Sequence, residues 1–179
     1  HKAVQHGGTS LLQAFMLRLL RRNPRGRIGY ASYAADIAEE RSWKCRELAP
    51  GEGISVHPSF AKKHLWYTVE GGYVYAGGLV GGQWTGRPFD ILIIDDPYSG
   101  PEQADSAAYR AKVEAAVDQK ILTRGYETMS VLLNTARWGP NDISAFFIRA
   151  GWPYTCLPAI RTDEFGIEHA LWPDVVPLD

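Results

Sequence analysis

Apolar residues recur with helical spacing in four segments of the chain. In residues 9–22 the leucines and Phe15 fall near every 3.6 positions, and the arginines at the end of the segment suit the negative end of a helix dipole. Asn23-Pro24 then ends this helix. The same spacing predicts helices over 34–48, from the Asp105-Ser106 cap to about 122, and over 141–150.

Other segments carry the patterns of β-strands. Residues 91–94 are four consecutive aliphatics, which is typical of a parallel strand covered on both faces. Glu70-Gly71-Gly72 separates two apolar runs and predicts a hairpin turn. The predicted strands are 27–33, 64–69, 73–76, 91–94, 130–135 and a strand near 154–157. Strands that alternate with helices predict an α/β layered domain.

The composition supports a packed domain of balanced charge. Of the 179 residues, 45% are hydrophobic and 22% are charged, so the chain is not a disordered tail. Nineteen Lys and Arg stand against 20 Asp and Glu, which excludes a protein whose whole surface binds DNA. Cys45 and Cys156 belong to no CxxC motif, so we expect reduced thiols rather than a zinc site.

The strongest chemical signal is the end of the predicted strand at 91–94, where Asp95 and Asp96 follow directly. Nucleotide hydrolases hold magnesium with a carboxylate delivered from the carboxyl end of a buried parallel strand. A second carboxylate beside it would polarise the attacking water. The alternative interpretation is a strand that ends in an acidic turn before Pro97.

A glycine-containing loop precedes the first predicted helix. The standard phosphate-binding motif GxxxxGK[ST] is absent. Gly7 and Thr9 stand where its second glycine and its hydroxyl residue fall, Gly8 replaces its lysine, and Lys2 occupies the place of its first glycine. Backbone N–H groups at such a helix start bind anions, although a glycine before a helix is also common in proteins without a ligand. The candidate nucleotide-binding residues are Lys2, Gln5, His6, Gly7, Gly8, Thr9 and Ser10.

Several motifs, in this order and spacing, resemble the ATPase domain of the large terminase subunit of tailed bacteriophages, of the deviant Walker A type. The resemblance rests on residues 31–39, on 82–90 running into 91–97, on 104–106, on 134–138 and on Asn141-Asp142. It implies a three-layer P-loop NTPase of the additional-strand (ASCE) type, with a mainly parallel central sheet flanked by helices and a β-hairpin insertion. Some members of this family carry the lysine at the start of the motif, as Lys2 stands here.

The resemblance assigns roles to residues at the two ends of the motif set. Lys2 would contact phosphate, and Thr9 and Asp95 would hold magnesium. Asp96 would stand where most members have the catalytic glutamate, although its side chain is one methylene shorter. The implied cofactors are ATP and Mg²⁺.

The resemblance also implies a coupling residue and an arginine finger. Thr135, at the end of the strand predicted at 130–135, would couple hydrolysis to movement. Arg87 is the candidate for the finger that reaches the nucleotide of a neighbouring subunit, with Arg137 in reserve. A surface arginine paired with a carboxylate is the alternative interpretation for both.

The implied organisation is an ATPase domain over 1–157 without the strand that precedes the phosphate loop. Residues 158–179 would lead toward a nuclease domain absent from this chain. The implied partners are double-stranded viral DNA, the portal protein, the small terminase subunit and further copies in a ring. The expected location is the cytoplasm of the infected bacterium, and no segment has the length of a membrane span.

Two other functions stay open at the level of sequence. A terminase-like module without turnover would assemble or dock without hydrolysing ATP, which the replaced lysine favours. A metal-dependent nuclease would use Asp90, Asp95 and Asp96 as a carboxylate cluster. Asp90 and Asp95 lie about 16 Å apart if the strand rises by about 3.3 Å per residue, which makes the second function awkward.

Overall fold

A computed structural model describes residues 7–84, 86–121 and 129–174. A six-stranded sheet in the order β2-β3-β4-β1-β5-β6 forms its centre, and a separate two-stranded sheet, β7-β8, lies near the end of the described chain. The helices are α1 (Gly8–Arg22), α2 (Ala35–Leu48), α3 (Pro101–Asp105), α4 (Ala107–Ala115) and α5 (Ile143–Arg149). The strands are β1 (Arg27–Ser32), β2 (Val56–Lys62), β3 (Leu65–Thr68), β4 (Tyr73–Gly78), β5 (Ile91–Asp95), β6 (Ser130–Asn134), β7 (Ile160–Thr162) and β8 (Glu168–Ala170).

Four neighbouring strands of the central sheet pair with one another in parallel. β4, β1, β5 and β6 run in one direction, and the predicted hairpin joins this sheet because β4 pairs with β1 while β3 returns antiparallel. The carboxyl ends of the parallel strands, at Ser32, Gly78, Asp95 and Asn134, therefore meet at one edge. This is the edge at which open parallel sheets bind their ligands. The mixed α/β fold with a mostly parallel central sheet is confirmed.

Alternating side chains of the sheet build a core on each face. One face packs β1 and β5 against α1 and α2, and the other packs β4 and β5 against α4 and α5. The first core includes Met16, Leu20, Ile28, Tyr30, Ala38, Cys45, Trp66, Val74 and Ile93. The second includes Tyr75, Trp84, Leu92, Ile94, Val113, Val117, Ile143 and Phe147. Covering on both faces explains the unbroken aliphatic run of β5.

Three of the four helical predictions are confirmed as single helices, over 8–22, 35–48 and 143–149. The predicted helix from the Asp105-Ser106 cap to 122 is interrupted. α3 ends at Asp105, and the Ser106 hydroxyl accepts a hydrogen bond from the backbone N–H of Tyr109 (3.3 Å), which caps the start of α4. Beyond α4, residues Ala116–Ile121 form π-helical turns. Ser106 caps α4 only, because a separate short helix that begins at Pro101, α3, precedes it. Apolar spacing does not mark the boundary between these two helices.

Two strand predictions need correction. The strand expected near 154–157 does not form: residues 152–156 have no regular structure, Tyr154 and Leu157 are exposed, and prolines stand at 153 and 158. Instead β7 and β8 pair as a small exposed hairpin. The edge strand β2 was not predicted because Pro58 interrupts its pattern, yet an edge strand tolerates a residue without an N–H group. The division between residues 157 and 158 stays a prediction.

Both cysteines are free thiols, with Cys45 buried and Cys156 exposed. Burial raises the pKa of Cys45 to about 12, so its thiol stays protonated and unreactive at neutral pH.

No helix in the described ranges combines the length and the apolarity that a membrane span requires.

The hairpin turn before β4 gives a test of its packing against the loop between α1 and β1. A Cβ atom on Gly72 would overlap the carbonyl oxygen of Pro24 and lie 2.7 Å from that of Gly26, and both are backbone atoms. We expect Gly72→Ala to lower the free energy of unfolding by about 1–3 kcal/mol in urea denaturation. Gly51→Ala is the matched control, because no atom lies within 4 Å of its added Cβ. Equal stability of the two variants would contradict this packing.

Candidate functional site

The carboxylate of Asp95 lies at the carboxyl edge of the sheet and is completely buried. Side chains from four other elements donate hydrogen bonds to it. Oδ2 accepts from the Thr9 hydroxyl at 3.0 Å, the Tyr30 hydroxyl at 2.6 Å and the Arg41 guanidinium at 2.8 Å. Oδ1 accepts from the Asn134 side-chain amide at 2.7 Å. A carboxylate has about four lone-pair positions, so these donors satisfy it.

Strand register explains why these groups converge. Asn134 pairs directly with Asp95 across β5 and β6, so their side chains share one face of the sheet. Tyr30 pairs with Ile93, two residues before Asp95, and therefore points to the same face. That face carries α1 and α2, which supply Thr9 from the first turn of one helix and Arg41 from the middle of the other.

Arg41 and Asp95 form the ion pair of the site. The guanidinium side chain is 21% exposed and the carboxylate 0%. Burial disfavours the charged guanidinium and lowers its pKa, but the interactions of Arg41 with Tyr30 and with the carboxylate of Asp95 outweigh burial and hold the pKa of Arg41 above its ordinary value. The Arg41 guanidinium also lies 3.4 Å from the Ser32 hydroxyl oxygen. Arg41 is therefore a permanent positive charge at the end of β5.

Tyr30 stays a neutral donor. Burial, and then the negative charge of Asp95, raise the pKa of Tyr30 well above its ordinary value. The phenol consequently keeps its proton and donates it to the carboxylate across the physiological range of pH.

Asp96 has a backbone unlike that of its neighbour. Its φ of 47° makes it the one residue other than glycine with a positive φ in the described chain. Its N–H donates to the carbonyl of Asn134 (3.0 Å), and its carbonyl accepts from the N–H of Tyr33 (3.1 Å), which hold this conformation. Left-handed conformations of non-glycine residues are uncommon and concentrate at functional sites.

A cavity of about 410 Å³ opens in front of α1 and Asp96. Gly7, with a φ of 70°, turns the chain into α1, so the first N–H groups of the helix lie at the cavity. The residues that line it are Gly7, Gly8, Thr9, Ser10, Tyr33, Asp96, Tyr98, Ser99, Ala136 and Trp138. A helix start with its N–H groups free of intrahelical partners is a place for an anion such as phosphate.

The Thr9 oxygen suits direct ligation of Mg²⁺, and Asp95 would support the site indirectly by accepting the hydrogen bond of the Thr9 hydroxyl. The Thr9 hydroxyl gives its single proton to Asp95, so its oxygen keeps lone pairs for a cation in the cavity that it lines. Three donors crowd Oδ2 of Asp95, so direct ligation through this oxygen would require one of them to leave. Oxygen ligands of this kind suit Mg²⁺.

The sequence-predicted nucleotide residues divide in two groups. Gly7, Gly8, Thr9 and Ser10 lie together at the cavity. Lys2, Gln5 and His6 fall outside the described residues, so their roles stay predictions.

Thr135 lies apart from this cavity. It is 1% exposed, and its hydroxyl donates to the carbonyl of Ala136 (3.0 Å). It lines a larger, mainly apolar cavity of about 560 Å³ beside β6, together with Leu133 and Phe147. The neighbouring Asn134, rather than Thr135, contacts Asp95 in this conformation.

Neither candidate arginine finger contacts the Asp95 site. Arg87 is exposed near the amino end of β5, where its guanidinium lies 5.6 Å from the centre of the Tyr75 ring and 3.5 Å from the Tyr67 hydroxyl. Arg137 pairs with Asp142 at 3.2 Å, and Asp142 caps the start of α5. A finger serves another subunit, so both assignments stay predictions.

The carboxylates proposed for a nuclease do not form a cluster. Asp90 precedes β5 and pairs with Arg27 at 2.5 Å, at the opposite end of the strand from Asp95. Arg27 lowers the pKa of Asp90 through this hydrogen bond. Within the described ranges, no three His, Cys, Asp or Glu side chains are placed to share a metal ion.

Sequence reasoning missed three of the four partners of Asp95. In the sequence, Tyr30 has the features of a core residue in a predicted strand, and Arg41 has those of a residue on one face of a predicted helix. Asn134 was considered only as part of the motif at residues 134–138. Asn134 had a usable signal, since it follows a buried strand as Asp95 does. Tyr30 and Arg41 had none, because only the packing of β1 and α2 brings them to the site.

The fold of this chain is similar to that of a solved phage protein. The crystal structure of the HK97 bacteriophage large terminase matches with a TM-score of 0.59 and 15% sequence identity, over 91% of this chain and 35% of that chain. No family model matches the sequence, and no curated protein matches it. The terminase-like fold is thus established, whereas the deviant phosphate loop stays a prediction.

The hydrogen bond of Tyr30 gives a test of the buried site. Tyr30→Phe keeps the ring and removes a donor to a buried carboxylate, so we expect the free energy of unfolding to fall by about 1.5–3 kcal/mol in urea denaturation. Tyr75→Phe is the control, since Tyr75 also belongs to the sheet and packs through its ring against Trp84. An equal decrease in the free energy of unfolding for the two variants would contradict the hydrogen bond from Tyr30 to Asp95.

Proposed function

We propose that this chain is the ATPase motor part of a terminase large subunit, which hydrolyses ATP to drive double-stranded DNA into a procapsid. One observation carries the proposal: Thr9, at the start of α1, donates to Asp95, 86 residues later at the end of a buried strand. P-loop NTPases hold magnesium with this pair of residue types. The terminase-like fold supports the same interpretation.

The cavity in front of α1 would receive the phosphates. The N–H groups after Gly7 face it, and the positive end of a 15-residue helix favours negative charge there. Thr9 and, through it, Asp95 would hold Mg²⁺, which when bound neutralises charge on the phosphates. Lys2 would add a further positive charge to the loop.

Asp96 would be the base that orients and polarises water. Asp96 lines the cavity, whereas the buried Asp95 is not among the residues that line it. Its backbone also favours aspartate over the glutamate found in most large terminases. Aspartate tolerates a left-handed conformation better than a longer side chain does.

The remaining roles concern assembly and movement. Arg87 is exposed and away from its own site, as a finger for a neighbouring nucleotide must be. Arg137 is the reserve, and Thr135 would couple hydrolysis to movement. The proposed partners are DNA, the portal protein, the small terminase subunit and copies of this chain in a ring, in the cytoplasm of an infected bacterium.

A second candidate function is a terminase-like module that assembles without turnover. The ion pair of Arg41 with Asp95 favours it, because a positive charge already compensates the carboxylate. A titration with ATP and magnesium, followed by an assay of ATP hydrolysis, distinguishes the two functions. Binding without hydrolysis would favour the module.

Asp96 is the sharpest test of turnover. Asp96→Asn keeps a residue that tolerates the left-handed backbone but removes the base, so we expect the rate of ATP hydrolysis to fall by about 100-fold or more. Asp90→Asn, before the same strand, is the matched control and should keep the rate within about twofold. An Asp96→Asn protein as active as wild type would overturn the assignment.

Thr9 tests the magnesium site separately from turnover. Thr9→Val removes the hydroxyl at constant shape, and we expect the affinity for ATP in the presence of Mg²⁺, measured by calorimetry, to fall about tenfold. Thr9→Ser keeps the hydroxyl and should bind as wild type does. Equal binding by Thr9→Val and Thr9→Ser would rule out the hydroxyl as a ligand.

A further inference from the structure

Arg41 places a full positive charge where the proposed function calls for a divalent cation. Its guanidinium lies 2.8 Å from Oδ2 of Asp95, the same oxygen that accepts from Thr9. The Thr9 oxygen and Arg41 are therefore neighbours around a single carboxylate oxygen.

Hydrogen bonding alone does not call for an arginine at this position. Thr9, Tyr30 and Asn134 already give Asp95 three donors from neutral groups. What these groups do not supply is a full charge, and a buried carboxylate is costly until a cation compensates it. Arg41 supplies that charge from within the chain.

We infer that Arg41 is a positioning residue that acts as the resident counter-ion of Asp95 and competes with a divalent cation for this carboxylate. The inference rests on the proposed function, because it concerns the same site. Arg41 compensates the charge of the Asp95 carboxylate when no metal is present. A metal ion therefore binds against the repulsion of a nearby guanidinium. The same positive charge attracts the phosphates of a nucleotide that carries no metal.

Removal of the positive charge should change the affinity for Mg²⁺ and the affinity for metal-free ATP in opposite directions. Without the positive charge of Arg41, the affinity for Mg²⁺ alone should rise, since the repulsion is lost and Asp95 gains a free lone pair. The affinity for metal-free ATP should fall, since an attraction is lost. A residue with only a structural role would weaken both when replaced, because the site would lose its shape.

Calorimetric titrations of the whole chain test this inference. Arg41→Gln removes the charge and keeps an N–H donor, and we expect binding of Mg²⁺ alone to tighten about tenfold or more. Binding of ATP in the presence of EDTA should weaken about fivefold or more. Arg41→Lys keeps the charge and should stay near wild type in both titrations. Arg18→Gln, an exposed arginine of α1, should change neither affinity by more than about twofold.

The outcomes separate this inference from the proposed function. Unchanged or weaker Mg²⁺ binding by Arg41→Gln would overturn the role of Arg41, even if ATP binds and is hydrolysed. Should Arg41→Gln fail to fold by circular dichroism, Arg41→Met provides the same charge removal with a different shape, and the same result is required of it. A wild-type chain that binds no ATP with or without Mg²⁺ would overturn the proposed function, while the titrations with Mg²⁺ alone still decide on Arg41.

Discussion

The need to compensate one buried negative charge organises this molecule. Asp95 has no exposed surface, and a carboxylate removed from water is stable only with donors and a countercharge around it. Those groups come from α1, β1, α2 and β6, whose chain positions span 126 residues, from Thr9 to Asn134. Satisfying the charge therefore fixes four elements relative to β5, and the edge of the sheet becomes a defined site only when all four are in place.

Two adjacent carboxylates consequently have different chemistry. Asp95 continues the strand, faces α1 and α2, and is surrounded by donors. Asp96 leaves the strand through a left-handed backbone and borders the open cavity. Neighbouring carboxylates in contrasting environments commonly divide an orienting role and a proton-transfer role between them. The contrast here is produced by the backbone, since the two side chains are chemically identical.

The sequence was informative where local pattern decides structure. The buried aliphatic run of β5, the amphipathic helices α1 and α2, and the hairpin at Gly71-Gly72 all follow from periodicity and turn residues, and the resemblance assigned Thr9 and Asp95 to one magnesium ion. Local pattern failed where packing decides. Tyr30 and Arg41 carry no signal of a polar site, the edge strand β2 contains a proline, and the segment at 154–157 is apolar yet exposed. The direct hydrogen bond from Thr9 to Asp95 is visible only in the three-dimensional fold.

The first two helices are also tied to each other at the turn that carries Arg41. The side-chain amide of Gln13 donates to the backbone carbonyl of Arg41 (3.0 Å), and the Cys45 thiol donates to the carbonyl of Gln13 (3.8 Å). Thr9 and Gln13 lie one turn apart on α1. The two hydrogen bonds thus join the turn of α1 that follows Thr9 to the turn of α2 that carries Arg41. The spacing between Thr9 and Arg41 is therefore set by a direct junction of the two helices as well as by their shared contact with Asp95.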